Sequence, residues 1–363
     1  MIKIPYGIGN FKRLRKDGYY YVDRTPYIEQ LENDVAPFLF MLRPRRFGKS
    51  LFASMLSYYY DVNSKDEFQT LFGDLYIGQK PTKRANNYLI LSFNFSGIDT
   101  SSPEKAYEDF TLKVKNSIEF FVHKYQHLFM LKDSMDFRKS KSPHACLNYL
   151  LTWYQKQNID IPIYLLIDEY DHFANEILSF DLHRFQGMVG QNGWVRKFYE
   201  TIKIGTEKDI IDRLYVTGVS PLTLDSLTSG FNIGINISTD YTYNEMLGFT
   251  RNEVQQMMLN VGVTADKLAT VMVDVKQWYN GYRFSEEAEQ QIYNPNMVLH
   301  FARDYAKRGK YPKQLLDANI ATDYRKISRL FGVGNRMENE KMLEKLLDDG
   351  YVTAELTQKF NLA

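Results

Sequence analysis

Between Ala36 and Tyr60 the chain passes from an apolar stretch, APFLFML, through Arg43-Pro44-Arg45-Arg46-Phe47 to Gly48-Lys49-Ser50 and on into LFASMLSYYY. No other stretch restricts the fold as strongly. The apolar run, bounded by Pro37 and Arg43, predicts a buried strand. Leu51, Met55, Leu56 and Tyr59 then recur at helical spacing. A strand turning through glycine straight into a helix is the setting of a phosphate-binding loop. Gly48 admits phosphate close to the backbone, and the first N–H groups of the helix cradle its oxygens. Lys49 reaches the β- and γ-phosphates, and the Ser50 hydroxyl can ligate Mg²⁺. The usual pattern, G-x-x-x-x-G-K-[ST], wants a further glycine where this chain has Arg43. The plainer reading is a surface turn with a solvated lysine, so the rest of the chain has to decide.

Three more apolar runs follow: NYLILSFNFS (87–96), IPIYLLIDEYD (161–171) and RLYVTGVS (213–220), with GINIS as a candidate fifth strand. Helical patterns separate them, including a long amphipathic one from Glu104 to Phe129, so hairpins are excluded and a parallel sheet in three layers is expected. The third run decides most. It ends in Asp168 and Glu169, at the strand end where open parallel sheets bind their ligands. Asp168 is suited to holding Mg²⁺, and Glu169 to polarising an attacking water as general base. A strand that merely ends in polar residues is the alternative, but the pairing with a strand–GKS–helix junction favours ATP hydrolysis. Asp171 reads as a helix cap or a second polar contact, the cap being favoured. Thr217 or Ser220, ending the fourth run, is placed to sense the γ-phosphate or hold the lytic water, or is simply a turn residue. No N-K-x-D follows, which points to adenine rather than guanine.

Strand signals stop after about Leu247, and four helical patterns follow, with Thr250 and Asn294-Pro295 as caps. Earlier, Thr25-Pro26 reads as the start of a helix. The expected organisation is an arm over 1–36, a P-loop core over 37–248 and a helical lid and C-terminal region over 249–363. A net charge of +1 gives no global field for nucleic acid or membrane, so basic contacts must be local. Candidates are Lys12 to Lys16, RKSK (138–141) and KRGKYPK (307–313). Cys146 is the single cysteine, which excludes an intramolecular disulfide framework and a cysteine zinc site. His123 and His127 share a helix face without a nearby third ligand. With no apolar leader in MIKIPYGIGNFKRLRK and no membrane-length apolar run, a cytoplasmic location is expected.

Over almost its whole length the chain resembles the AAA-ATPase-like family of bacterial proteins, common in gut Bacteroidetes. The resemblance rests on IPYGIGNFKRLRKDGYYYVDRT, RPRRFGKSL, LIDEYD, VTGVS, LGFTRNEV, WYNGYRF and YNPNMVLHF. It implies an ASCE-type P-loop fold with sheet order 5-1-4-3-2, ATP and Mg²⁺ as ligands, and Arg43 as a feature of the family's own loop. Carried over, Lys49 and Ser50 take the phosphate and Mg²⁺ roles within a loop of Arg45, Arg46, Phe47, Gly48 and Leu51. Asp168 and Glu169 form the second acidic motif, Glu169 being the catalytic glutamate. Thr217 or Ser220 becomes the first sensor, Val22 and Asp23 lie near the adenine, and Arg283 is the candidate second sensor. Trp278, Tyr279 and Tyr282 alternatively only pack the lid.

In that family the P-loop domain is usually followed by a PD-(D/E)xK nuclease-like domain. This sequence stops at Ala363, and Asp274-Val275-Lys276 sits in a helical pattern, so nuclease activity is not expected from it. The leading expectation is an Mg²⁺-dependent ATPase acting as switch or motor for an effector module. A nucleotide sensor with negligible turnover and a DNA-binding regulator are the rivals. The loop arginines are left with three roles: neutralising phosphate, bracing the loop against carboxylates, or facing a neighbouring copy. Arg213 joins Arg43, Arg45 and Arg46 as candidates for the last.

Overall fold

In the computed structural model, residues 2–34, 36–130, 139–178, 193–221, 231–317 and 336–349 are described. In chain order the elements begin with helices α1 (Phe11–Lys16) and α2 (Pro26–Asn33), then strand β1 (Phe38–Leu42) and helix α3 (Lys49–Tyr60). The short helices α4 (Phe68–Phe72) and α5 (Tyr76–Gln79) lead to β2 (Leu89–Asn94), α6 (Pro103–Lys124) and α7 (Pro143–Lys156). Then come β3 (Ile163–Asp168), α8 (His172–Leu178), α9 (Trp194–Glu207), β4 (Ile211–Gly218) and β5 (Ile235–Asn236). Helices α10 (Arg251–Asn260), α11 (Ala265–Tyr279), α12 (Pro295–Arg308) and α13 (Arg336–Asp349) complete them.

The five strands pair in parallel in the order β2-β3-β4-β1-β5, which read from the other edge is β5-β1-β4-β3-β2. Because side chains alternate along a strand, each strand feeds two cores. Phe40, Leu91, Leu165, Ile167, Leu214 and Val216 face α6, α7 and α9. Leu39, Met41, Ile90, Tyr164, Leu166 and Tyr215 face α3 and the helices around it. A third core belongs to α10, α11 and α12. Residues before β1 join two of these cores: Phe11 stacks on Phe72 at 5.0 Å between ring centres, whereas Ile4 lies in the third core. Arg24 clamps the two regions together through a bidentate pair with Glu253 and a 2.6 Å bond to the Gly248 carbonyl.

Several local expectations give way to tertiary contacts. Thr25 does not cap α2 with its side chain; its backbone is already helical, and its hydroxyl accepts the Ile77 N–H at 3.1 Å. The long helix ends at Lys124 rather than Phe129, where Tyr125 turns its hydroxyl onto buried Asp61 at 2.9 Å. The basic stretch is helix α1, and its charges are matched: Lys12 and Lys16 meet Glu67, and Arg15 meets Asp74. Of the second basic stretch, Arg138 lies outside the described residues, and in the third Arg308 pairs with Asp304. Among the described residues no helix is long and apolar enough to cross a membrane.

Candidate phosphate-binding site

The loop from β1 to α3 leaves the C-terminal edge of the sheet beside the ends of β4 and β3. Register puts Leu42 opposite Gly218, Met41 opposite Thr217, and Ile167 opposite Val216. One strand therefore separates the Gly-Lys-Ser loop from Asp168. Gly48 caps α3 at φ 91°, a left-handed conformation suited to glycine. No side chain caps the first turn of α3, so its N–H groups form the uncapped helix start at which anions bind. Lys49 is buried, with Nζ donating to the carbonyls of Arg43 (2.8 Å) and Pro44 (3.0 Å). Burial lowers its pKa below the ordinary lysine value, opposed by the nearby charges of Asp168, Asp171 and Glu169. Ser50 is exposed on the first turn, and Leu51 packs partly into the core beneath.

On the acidic side, the fully buried Thr217 hydroxyl donates to Asp168 Oδ1 at 2.6 Å. Glu169 sits at φ 53°, a strained setting for a residue with a Cβ; such conformations collect at functional sites. Asp171, favoured above as a helix cap, accepts the N–H groups of Val219 and Ser220, the latter at 2.7 Å. Tyr170 donates its hydroxyl to the Ser220 carbonyl at 2.6 Å. A Cβ on Gly218 would stand 2.4 Å from the Tyr170 ring, so glycine alone allows this approach. Of the two hydroxyl candidates, Thr217 is the one described on an oxygen of the acidic pair, while the Ser220 backbone is tied to Tyr170 and Asp171.

The arginines divide. Arg45 and Arg46 are exposed beside the loop, Arg46 at φ 67° with Nη1 3.3 Å from Asn296 Oδ1. Arg43 fits none of its three expected roles, because it is only 1% exposed and donates to backbone carbonyls. Nη1 bonds Leu42 (2.9 Å) and Ser238 (2.6 Å), and Nη2 bonds Tyr243 (2.8 Å). Burial brings its pKa down to about 10, so the guanidinium stays charged at neutral pH. Arg213 is likewise removed as a group facing a neighbour: it is buried and donates to the carbonyls of Leu31 and Glu32.

The WYNGYRF segment does reach the loop, through its aromatic residues. Buried Phe47 meets Tyr282 edge-on at 4.8 Å and Phe284 at 5.5 Å between ring centres. Arg283 between them is exposed. Trp278 is exposed as well, whereas Tyr279 is buried with its hydroxyl on the Leu315 carbonyl. Val22 packs partly against the third core. Both Asp23 oxygens are taken by backbone N–H groups, of Thr25 and Tyr76, each at 2.8 Å. Sequence reasoning missed Ser238, which accepts the Leu42 N–H at 2.7 Å, and the buried Asn296–Asp317 pair behind Arg46, also at 2.7 Å. Only the Asn294-Pro295 helix start marked that neighbourhood.

A five-stranded parallel sheet with helices on both faces and a Gly-Lys-Ser loop at its C-terminal edge defines a P-loop-like α/β protein. More narrowly, the chain belongs to the AAA-ATPase-like family, described as predicted AAA-ATPase, whose model matches residues 5–228. A curated relative, an uncharacterized protein in the vnfD 5′ region of Azotobacter chroococcum mcd 1, is 30% identical over 307 residues, which are 83% of this chain. The aligned part is 52% of that relative, so the chain spans about half its length. Among solved structures, a Walker-type ATPase of Pyrococcus abyssi is similar at 13% identity and a TM-score of 0.41, over 90% of this chain and 75% of that one.

Proposed function

We propose that the chain binds ATP with Mg²⁺ at the β1–α3 loop and hydrolyses it, as the switch or motor of an associated effector. One observation carries this reading: Thr217, on the strand between loop and acidic pair, hydrogen-bonds Asp168 while Lys49 lies buried within the field of Asp168 and Glu169. The donor set suits the ligands. The uncapped helix start and Lys49 suit a polyphosphate. Ser50 and Asp168 offer one hydroxyl and one carboxylate, the sparse set with which Mg²⁺ is held alongside phosphate oxygens. Among the described residues no cluster of three or more His, Cys, Asp or Glu offers a denser metal site.

Lys49 leaves the Arg43 and Pro44 carbonyls for the β- and γ-phosphates, and Arg45 and Arg46 add positive charge from the exposed side of the loop. Ser50 and Asp168 would hold Mg²⁺, which would neutralise charge on the phosphate oxygens. Glu169 accepts a proton from water as the water oxygen attacks the γ-phosphorus. The bond from that phosphorus to the bridging oxygen breaks, and ADP leaves with the bonding pair. Thr217 holds Asp168 in place, Arg283 approaches from the lid, and Val22 and Asp23 border the base. The Phe47 contacts with Tyr282 and Phe284 are the route by which nucleotide state reaches the helical region.

The test is ATP turnover in the wild type and in Glu169→Gln, with nucleotide binding in Lys49→Ala. Turnover lost in Glu169→Gln and binding lost in Lys49→Ala are expected. Equal rates in the wild type and Glu169→Gln, or no turnover in either, refute the reading.

A further inference from the structure

The loop opens with an arginine where a glycine is usual, and that side chain is among the largest fully buried in the described residues. Its backbone is held on both sides. The Arg43 N–H donates to the Gly218 carbonyl at the end of β4 (3.1 Å), and its own carbonyl accepts Lys49 Nζ (2.8 Å). The guanidinium runs the other way, to the carbonyls of Ser238 and Tyr243 beyond β5. Its Cζ lies over the Phe284 ring, 3.9 Å from the ring centre, and the same ring also packs on Phe47. One residue thus joins the end of β4, the stretch that follows β5, the phosphate-reaching lysine and the aromatic segment of the helical region.

A glycine in this place would take this donor from the carbonyls of Leu42 and Ser238, leave the Tyr243 carbonyl only the Met246 N–H at 3.3 Å, and uncover Phe284. Buried carbonyls that lose a partner carry the full desolvation penalty, and loop and segment would relax apart to reach water. We infer that Arg43 is the positioning residue of this site: a buried cation fixes the loop's shape and keeps Lys49 and Phe47 in register with Phe284. It acts through these neighbours and touches no phosphate. The inference rests on the nucleotide-binding reading above.

It is tested by nucleotide affinity in folded protein. ADP and a non-hydrolysable ATP analogue are titrated into the wild type, Arg43→Gly, Arg43→Lys and Arg213→Met, alongside thermal unfolding without nucleotide. Arg213 is the control, a buried arginine that also serves backbone carbonyls but near the N-terminal ends of the strands. Arg43→Gly, although it restores the usual glycine, is expected to weaken binding roughly tenfold or more, with Arg43→Lys recovering part of the loss. Arg213→Met is expected to lower the unfolding temperature and leave affinity unchanged. Arg43→Gly binding as tightly as the wild type, or Arg213→Met weakening binding equally, overturns the inference. Should Arg43→Gly not fold, Phe284→Leu decides: it removes the ring under the guanidinium and keeps an apolar filler, so weaker binding supports the inference and unchanged binding overturns it. A wild type that binds neither ligand refutes the site reading itself, separately from any variant.

Discussion

Replacing Thr217 by valine removes one hydroxyl and changes little else. The side chain is fully buried and its shape is kept, so no cavity opens. The loss is confined to the 2.6 Å hydrogen bond to Asp168 Oδ1. A hydrogen bond to a charged acceptor contributes about 1.5–3 kcal/mol. Asp168 is half-buried, so water can still solvate its carboxylate from the exposed side, which places the loss near about 1.5 kcal/mol. At about 1.4 kcal/mol per factor of ten, that is roughly a tenfold effect. If Thr217 aims Asp168 at Mg²⁺, the effect falls on the metal. The Mg²⁺ concentration for half-maximal ATP turnover rises about tenfold in Thr217→Val, by the same conversion. Thr217→Ser, which keeps the hydroxyl, stays close to the wild type. The assay is steady-state turnover across an Mg²⁺ titration at saturating ATP. Unchanged Mg²⁺ dependence in Thr217→Val, or equal impairment in Thr217→Ser, refutes the reasoning, the latter by making the methyl group the part that matters.

Two further outcomes concern the joints around the site. Burial acts to raise the Glu253 carboxyl, but the Arg24 guanidinium, together with the Thr250 N–H and hydroxyl, outweighs it and holds the group below its ordinary value. A carboxyl depressed in the folded state stabilises above its unfolded pKa and loses that contribution as pH falls through the folded value. The stability advantage of the wild type over Arg24→Met should therefore be full near neutrality and shrink below about pH 4, the ordinary glutamate range, in denaturant unfolding at several pH values. A pH-independent difference counts against the pair. Asn296→Leu should lower stability by about 1–3 kcal/mol, because it takes a donor from buried Asp317. Since the Arg46 contact is long at 3.3 Å, the same variant should change nucleotide affinity little, which calorimetry measures directly.

The strands were legible because each is an apolar run cut off by polar residues, and parallel pairing brings all their C-terminal ends to one edge. That is why Lys49, Asp168 and Thr217 could be grouped from positions far apart in the chain. The choice between Thr217 and Ser220 was not legible. Both are hydroxyls at a strand end, and only register, with Val216 beside Ile167, sets Thr217 next to Asp168. Arg43 misled because charge alone suggests phosphate. Its partners Ser238 and Tyr243 lie 195 and 200 residues away, so no local pattern announces them. The partners of the basic stretch were hidden for the same reason, since Glu67 and Asp74 follow some fifty residues later. Thr25 carried a sound local signal for capping, and a contact to Ile77 outcompeted it.

The joining of early and late residues bears on how this protein comes into being on the ribosome. Ile4 belongs to the core of α10, α11 and α12, Arg24 is bound to Glu253, and the Tyr6 hydroxyl is bound to Asp317, 311 residues further along. The segment from Ile4 to Arg24 therefore holds apolar and charged groups whose partners are translated more than two hundred residues later. The sheet and its two layers can assemble meanwhile from nearer contacts, but the third core closes only when the late helices arrive, and closing so long a loop is slow. Since Phe284 packs on Arg43 and Phe47, the loop between β1 and α3 acquires its final shape only after this later segment has been made.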